Sequence, residues 1–226
     1  MIDRKLLKLP FRDPRGRIWI GGPKWKCPTC SNGVLRMQKD SFKVEETRSS
    51  KRDHNRSDWL PDSLQYVFSC LLECSADRCK EWVSCAGEGF GDFETDYDEF
   101  GDIHQSWETF FRPKYFFPHL RMFSYPSDTP ADVANELEES FKLLFCSPSS
   151  ASNHLRIAVE NLLTALKVKR FKTSAGRRSY LSLHQRINLL PKKHEHLKEL
   201  LFAIKWLGNA GSHKTHLIIT KSWTKF

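Results

Sequence analysis

Cys27-Pro28-Thr29-Cys30 and Cys74-Ser75-Ala76-Asp77-Arg78-Cys79 decide how the front half of this 226-residue chain folds. Two short cysteine loops separated by a long insert form the ligand pattern of a zinc ribbon. Four thiolates satisfy a tetrahedral zinc, and loops of two to four residues let neighbouring sulfurs converge. Cys27, Cys30, Cys74 and Cys79 are therefore the expected ligands of a structural Zn2+. A site closed by four thiolates keeps no position for water, so catalysis by this metal is not expected.

Around the second loop the pattern is that of a hairpin. Leu64, Tyr66, Phe68, Cys70, Leu72 and Cys74 recur with period two on one strand face, and Trp82-Val83-Ser84-Cys85 begins the return strand. Cys70 and Cys85 read as buried core thiols. Residues 40–60 read as a polar loop inserted between the halves of the ribbon, and 91–102 as a solvated acidic loop. Asp92, Glu94, Asp96 and Asp98 alternate there, but the sixth position of an EF-hand count is Tyr97 rather than glycine, so calcium is not expected. Residues 107–125 are aromatic and extended, and Pro126 and Pro130 mark a linker.

From Pro130 the period becomes helical. Val133, Leu137, Phe141, Leu144 and Phe145 make one stripe, with Asp128 or Thr129 available as a cap and Pro130 suited to the first turn. Leu155, Ala158, Val159, Leu162, Leu163 and Leu166 give the cleanest amphipathic pattern in the chain. A basic loop over 167–178, a short helix near 180–190 stopped by Pro191, and a helix carrying Leu197, Leu200, Leu201, Ile204 and Leu207 complete the back half. Gly208 is expected to end or kink that helix, and Gly208–His213 to form a tight turn.

The net charge of +9 is unevenly spread. Residues 1–60 carry 15 Lys/Arg against 7 Asp/Glu, 61–150 carry 6 against 17, and 151–226 carry 15 against 3. A basic helical segment suits nucleic acid or an acidic partner. No apolar run approaches a membrane span, no export signal is evident at the start, and closely spaced cysteines fit metal ligation in a reducing cytoplasm. A cytoplasmic protein without a membrane segment is the expectation.

Trp25–Cys30, the Cys74–Cys79 hairpin leading to Gly87-Glu88-Gly89, and Arg112-Pro113-Lys114-Tyr115-Phe116-Phe117-Pro118 resemble the bacterial domain-of-unknown-function family 4145. So do His154–Glu160 and Leu207–His213 in the back half. That family resembles the HEPN superfamily of helical bundles, which includes RNases, nucleotide-transferring toxins and inactive scaffolds tied to phage defence and toxin–antitoxin systems. The resemblance implies an α+β protein. Residues 1–126 would be a zinc-ribbon-like β module and 127–226 a HEPN-like helical domain, ending where the family continues into a further helix.

HEPN RNases leave four to six residues between an Arg and the His that follows it. Counted back from His213, those positions are Trp206, Leu207 and Gly208, and the nearest cation is Lys205, one step beyond. Lysine lacks the bidentate fork of arginine. The leading expectation is therefore a nucleic-acid-associated binding or sensor protein in phage defence or a toxin–antitoxin setting, contacting RNA or DNA. The enzymatic alternative is a metal-independent RNase. In it His213 moves a proton, Asn209 orients that His or the substrate, and Arg156, with Glu160 four residues on, or Lys205 steadies charge at a site formed across a homodimer. The third is a scaffold for a larger restriction or defence effector.

Overall fold

A computed structural model describes residues 24–97, 103–174 and 176–212. The architecture is α+β, with a β-rich front half and helices behind. The chain divides into two compact units, Met1–Leu120 and Arg121–Phe226.

The front unit is one five-stranded antiparallel sheet. At its centre is β3 (Gln65–Cys74), whose strict alternation buries Phe68, Cys70, Leu72 and Cys74 on one face. Two short strands share one side of it: β1 (Leu35–Met37) opposite Leu72–Cys74, and β2 (Lys43–Glu46) opposite Tyr66–Ser69. On the other side lies β4 (Trp82–Tyr97), followed by β5 (Ile103–Phe117). The buried face packs as edge-on and stacked rings. Trp25 meets Phe116 at 4.9 Å, and Phe42 meets Phe68 at 5.7 Å and Phe111 at 5.1 Å. Ring pairs at such separations add about 0.5–1.5 kcal/mol to the burial itself.

Two segments read as loops are ordered. Residues 91–97 of the acidic stretch continue β4 and pair with β5, down to Tyr97 opposite Ile103. The alternation of acids with Phe93, Thr95 and Tyr97 is a strand period, and pairing with β5 satisfies the backbone. Within the polar insert, β2 leads into α1 (Arg48–Asp53), capped by the Thr47 side chain on the Ser50 N–H.

Cys70 and Cys85 sit directly opposite each other, free and buried, in the core role expected of them. The Cys85 thiol is held well above its ordinary pKa, first by its hydrogen bond to Cys70 and then by burial. The Cys74 N–H bonds to the Glu81 carbonyl, so alternate pairs inward, including Cys70–Cys85, occupy hydrogen-bonded positions of the ladder.

In the second unit, α2 (Ala131–Leu143) buries Val133 and Phe141, and α3 (Pro148–Ala165) buries Ala158, Val159 and Leu163. Neither Asp128 nor Thr129 caps α2. Pro130 occupies the cap position, and the Thr129 hydroxyl bonds to the Pro126 carbonyl instead. The far end of α3 closes without glycine. Lys167 adopts φ 57°, while its N–H reaches Thr164 and that of Val168 reaches Leu163.

The basic 167–178 segment is not a loop. It contains a β-hairpin, β6 (Phe171–Ser174) paired with β7 (Arg177–Tyr180), with Gly176 at φ 74° in the turn. Next, α4 (Leu183–Asn188) starts with a capping box of Ser182 and Gln185. Finally α5 (Lys198–Ser212) runs unbroken through Gly208, so the expected stop and tight turn do not occur. The core joins Val159 and Leu163 of α3, Leu183 and Ile187 of α4, and Leu201 of α5.

Candidate metal centre and the helical site residues

The four predicted ligands converge. All four sulfurs of Cys27, Cys30, Cys74 and Cys79 lie within 4.8 Å of one another. Cys27 Sγ is 3.8 Å from Cys79 Sγ, and Cys30 Sγ is 3.6 Å from Cys74 Sγ. A tetrahedron with metal–sulfur bonds of about 2.3 Å needs sulfurs about 3.8 Å apart. The set is therefore compatible with zinc, and among the described residues no carboxylate or imidazole belongs to it.

The two loops present their sulfurs through the same backbone device. In the first, the Ser31 N–H reaches back four residues to Cys27, and Ser31 adopts φ 57°. In the second, the Lys80 N–H reaches back to Ala76, and Lys80 adopts φ 49°. Ala76 thus stands where the first loop has Cys27. The fourth sulfur comes instead from Cys74, two residues upstream, the last residue of β3. This accounts for the longer spacer of the second loop.

Backbone N–H groups face the sulfurs, Gly33 to Cys30 and Ala76 to Cys74, each at 3.4 Å. Such donors stabilise thiolate charge. The Cys30 thiol is lowered to about 6, first by the Gly33 and then by the Asn32 backbone. Burial pushes Cys74 up to about 12. A bound divalent cation would override that cost, because a coordinating thiol is deprotonated outright.

Four supports lie outside the cysteine spacing. The Thr29 hydroxyl donates to Glu81 at 2.8 Å, and Ser75 and Val34 bond reciprocally through Val34 N–H to Ser75 Oγ and Ser75 N–H to Val34 carbonyl. Gly33 is the fourth, since a Cβ there would lie 2.2 Å from Cys74 Sγ. Its only sequence signal is a glycine three residues after Cys30.

In the helical unit, Arg156 and Glu160 form an i,i+4 ion pair on α3 at 3.0 Å. Gly208 brings α5 hard against α3: a Cβ there would lie 2.7 Å from Arg156 Cβ and 3.0 Å from the Ser152 carbonyl. Arg156 and the Gly208 backbone are thus neighbours, and Arg156 Nε is buried without a hydrogen bond. Lys205 sits over the Trp206 ring at 4.1 Å. Asn209 lies on α5, with its side chain outside the described set, and His213 lies outside the described residues.

Sequence reading missed Arg186. Buried in α4, its guanidinium donates to the Glu160 carbonyl at 3.1 Å and to Thr164 Oγ1 at 2.9 Å, tying α4 to α3. Burial, then the nearby Arg170 charge, lowers its pKa from the usual arginine value. His154 Nδ1 meets Glu136 Oε2 at 2.7 Å, linking α3 to α2.

Residues 138–225 match the family model described as Domain of unknown function (DUF4145). The front half matches a different model, Domain of unknown function (DUF8608), over residues 20–116. The likeness to family 4145 first read across both halves thus falls on the helical half, and the cysteine-bearing half has a family description of its own. No curated protein and no solved structure matches the chain. No helix among the described residues is long and apolar enough to cross a membrane.

Proposed function

We propose that the protein is a nucleic-acid-binding module, with a front unit held together by structural zinc and a HEPN-like helical unit that carries the contact surface. The observation that carries this reading is one of charge. Residues 161–194 hold nine Lys/Arg and no Asp or Glu. Of these, Lys167, Lys169, Arg170, Lys172, Arg177 and Arg178 are exposed, and none is ion-paired with a described residue. Uncompensated cations on a folded surface attract polyanions and release counterions when phosphates replace them. In a cytoplasmic bacterial setting this surface suits a binding or sensor component of phage defence or of a toxin–antitoxin pair.

The test is binding of labelled RNA and DNA across a salt series. Affinity should fall linearly on logarithmic axes as salt rises. Absence of binding to either polymer at low salt would refute the reading and favour a scaffold for a larger effector.

A second reading, metal-independent RNA cleavage, has one supporting observation. Gly208 presses α5 onto Arg156, which draws a cation toward the segment leading to Asn209 and His213. His213 would move the proton from the RNA 2′-hydroxyl, and Arg156 or Lys205 would steady the phosphate. Total RNA incubated without added divalent metal should lose its intact bands with the wild type and keep them with His213→Ala. Equal outcomes for both proteins would dismiss this reading.

A further inference from the structure

The β6–β7 hairpin has no role in the core. Of its eight strand residues, only Phe171 is even partly buried. A two-stranded ribbon this short is marginal by itself in water, so its retention calls for local support. That support is a stack on one face. Phe171 and Tyr180 are directly paired, with ring centroids 4.4 Å apart, and the Arg178 guanidinium lies 3.7 Å over the Phe171 ring. Register places Phe171, Thr173, Arg178 and Tyr180 on this face, and Lys172, Ser174, Arg177 and Ser179 on the other. The ribbon therefore carries cations on both faces.

We infer that this hairpin is the element that contacts nucleic acid, and that its ligand is double-stranded DNA entered through the major groove. The inference rests on the nucleic-acid-binding reading above and specifies its site and substrate. Three features favour a duplex groove over a single strand. First, a groove has phosphate walls on two sides, matching cations on both faces of the ribbon. Second, single-strand binders stack successive bases on open aromatic faces, whereas this ribbon has Phe171 under Arg178 and a single exposed ring, Tyr180. Third, the size fits. A major groove about 12 Å wide admits a two-stranded β-ribbon, whereas the minor groove is only about 6 Å wide. The deep, narrow major groove of an RNA duplex does not admit side chains.

The experiment uses the full zinc-loaded chain and fluorescence anisotropy. The probes are a labelled 20-base-pair DNA duplex, its single strand, and an RNA duplex of the same sequence. The variants are the triple Lys172→Ala, Arg177→Ala, Arg178→Ala and the double Lys172→Gln, Arg177→Gln. The double leaves the Arg178 stack in place and so keeps the test valid if the triple unfolds. Lys142→Ala with Lys198→Ala, two ion-paired cations of the same unit outside the basic stretch 161–194, is the control.

Wild type should prefer the DNA duplex. Each lost phosphate contact removes about 0.9 from the slope of log affinity against log salt. The double should thus lower the slope by about 1.8 and the triple by about 2.7, with a loss of a hundredfold or more at 0.1 M salt for the triple. The control should stay near wild type. Hairpin variants that bind DNA like wild type would overturn this inference and leave the broader reading standing. Preference for the single strand or the RNA duplex would do the same, as would equal binding of polyglutamate. Failure of wild type to bind any nucleic acid would overturn both.

Discussion

Replacing Gly33 by alanine tests the metal centre at a residue that donates no ligand atom. The new Cβ would lie 2.2 Å from Cys74 Sγ and 3.1 Å from both the Cβ and the N of Ala76. Non-bonded heavy atoms sit best about 3.5–4.0 Å apart, so Cβ and sulfur must separate by a further ~1.3 Å. A metal–ligand distance tolerates only about 0.2 Å. Cys74 cannot retreat easily, because it is fully buried and its N–H is bonded to Glu81. The expected result is loss of one ligand of four. Structural zinc sites contribute about 10–16 kcal/mol, so a quarter share is about 3 kcal/mol, or roughly a hundredfold in zinc affinity. Competition with a chromophoric chelator measures this directly, and cobalt substitution reports whether four thiolates still bind. Wild-type affinity with an unchanged four-thiolate cobalt spectrum in Gly33→Ala would refute the placement of Gly33 beside the ligand sulfur.

Chelation should melt the front unit while far-ultraviolet circular dichroism retains the helical signal, because the cysteine quartet joins only sheet-unit segments. Loss of the helical signal in parallel would contradict this. Ser31→Gly should stabilise the front unit by about 0.5–1 kcal/mol, since φ 57° costs a side-chain residue more than glycine's extra chain entropy; a lower urea midpoint would count against it. Gly208→Ala should lower stability by about 1–3 kcal/mol despite alanine's better helix propensity, because the methyl meets Arg156 and the Ser152 carbonyl. Thermal melts that show a gain would mean the helices are not in close contact there. Arg186→Ala should cost about 2–4 kcal/mol through the cavity and the loss of two hydrogen bonds from α4 to α3, and a value within error of wild type in urea titration would refute the tie between α3 and α4.

The elements legible in the sequence were those whose residues alternate between core and solvent. The period of two across Phe68, Cys70, Leu72 and Cys74 is the buried face of β3, and the repeat through Ala158, Val159 and Leu163 is the core face of α3. The hairpin of β6 and β7 has no such signal, because nearly every residue in it faces solvent. The end of α3 was hidden for a different reason: Lys167 takes the left-handed position that glycine usually announces. Arg186 was unreadable as a core residue because long cations are rarely buried, and its partners lie on a helix 22 to 26 residues away in sequence.

By itself the sequence determined which four cysteines converge, the α+β order of the halves and the charge of the helical half. These follow from residue type and local period. Tertiary structure alone decided that Gly33 must leave room for the Cys74 sulfur, that Cys74 joins the cysteine quartet from the strand before its loop, and that Gly208 continues a helix instead of ending it. Each depends on how closely two segments distant in sequence approach. Local propensity favours a break at Gly208, but in the folded chain the missing side chain lets α5 lie against Arg156 and Ser152, and packing across that contact outweighs about 1 kcal/mol of intrinsic helix preference.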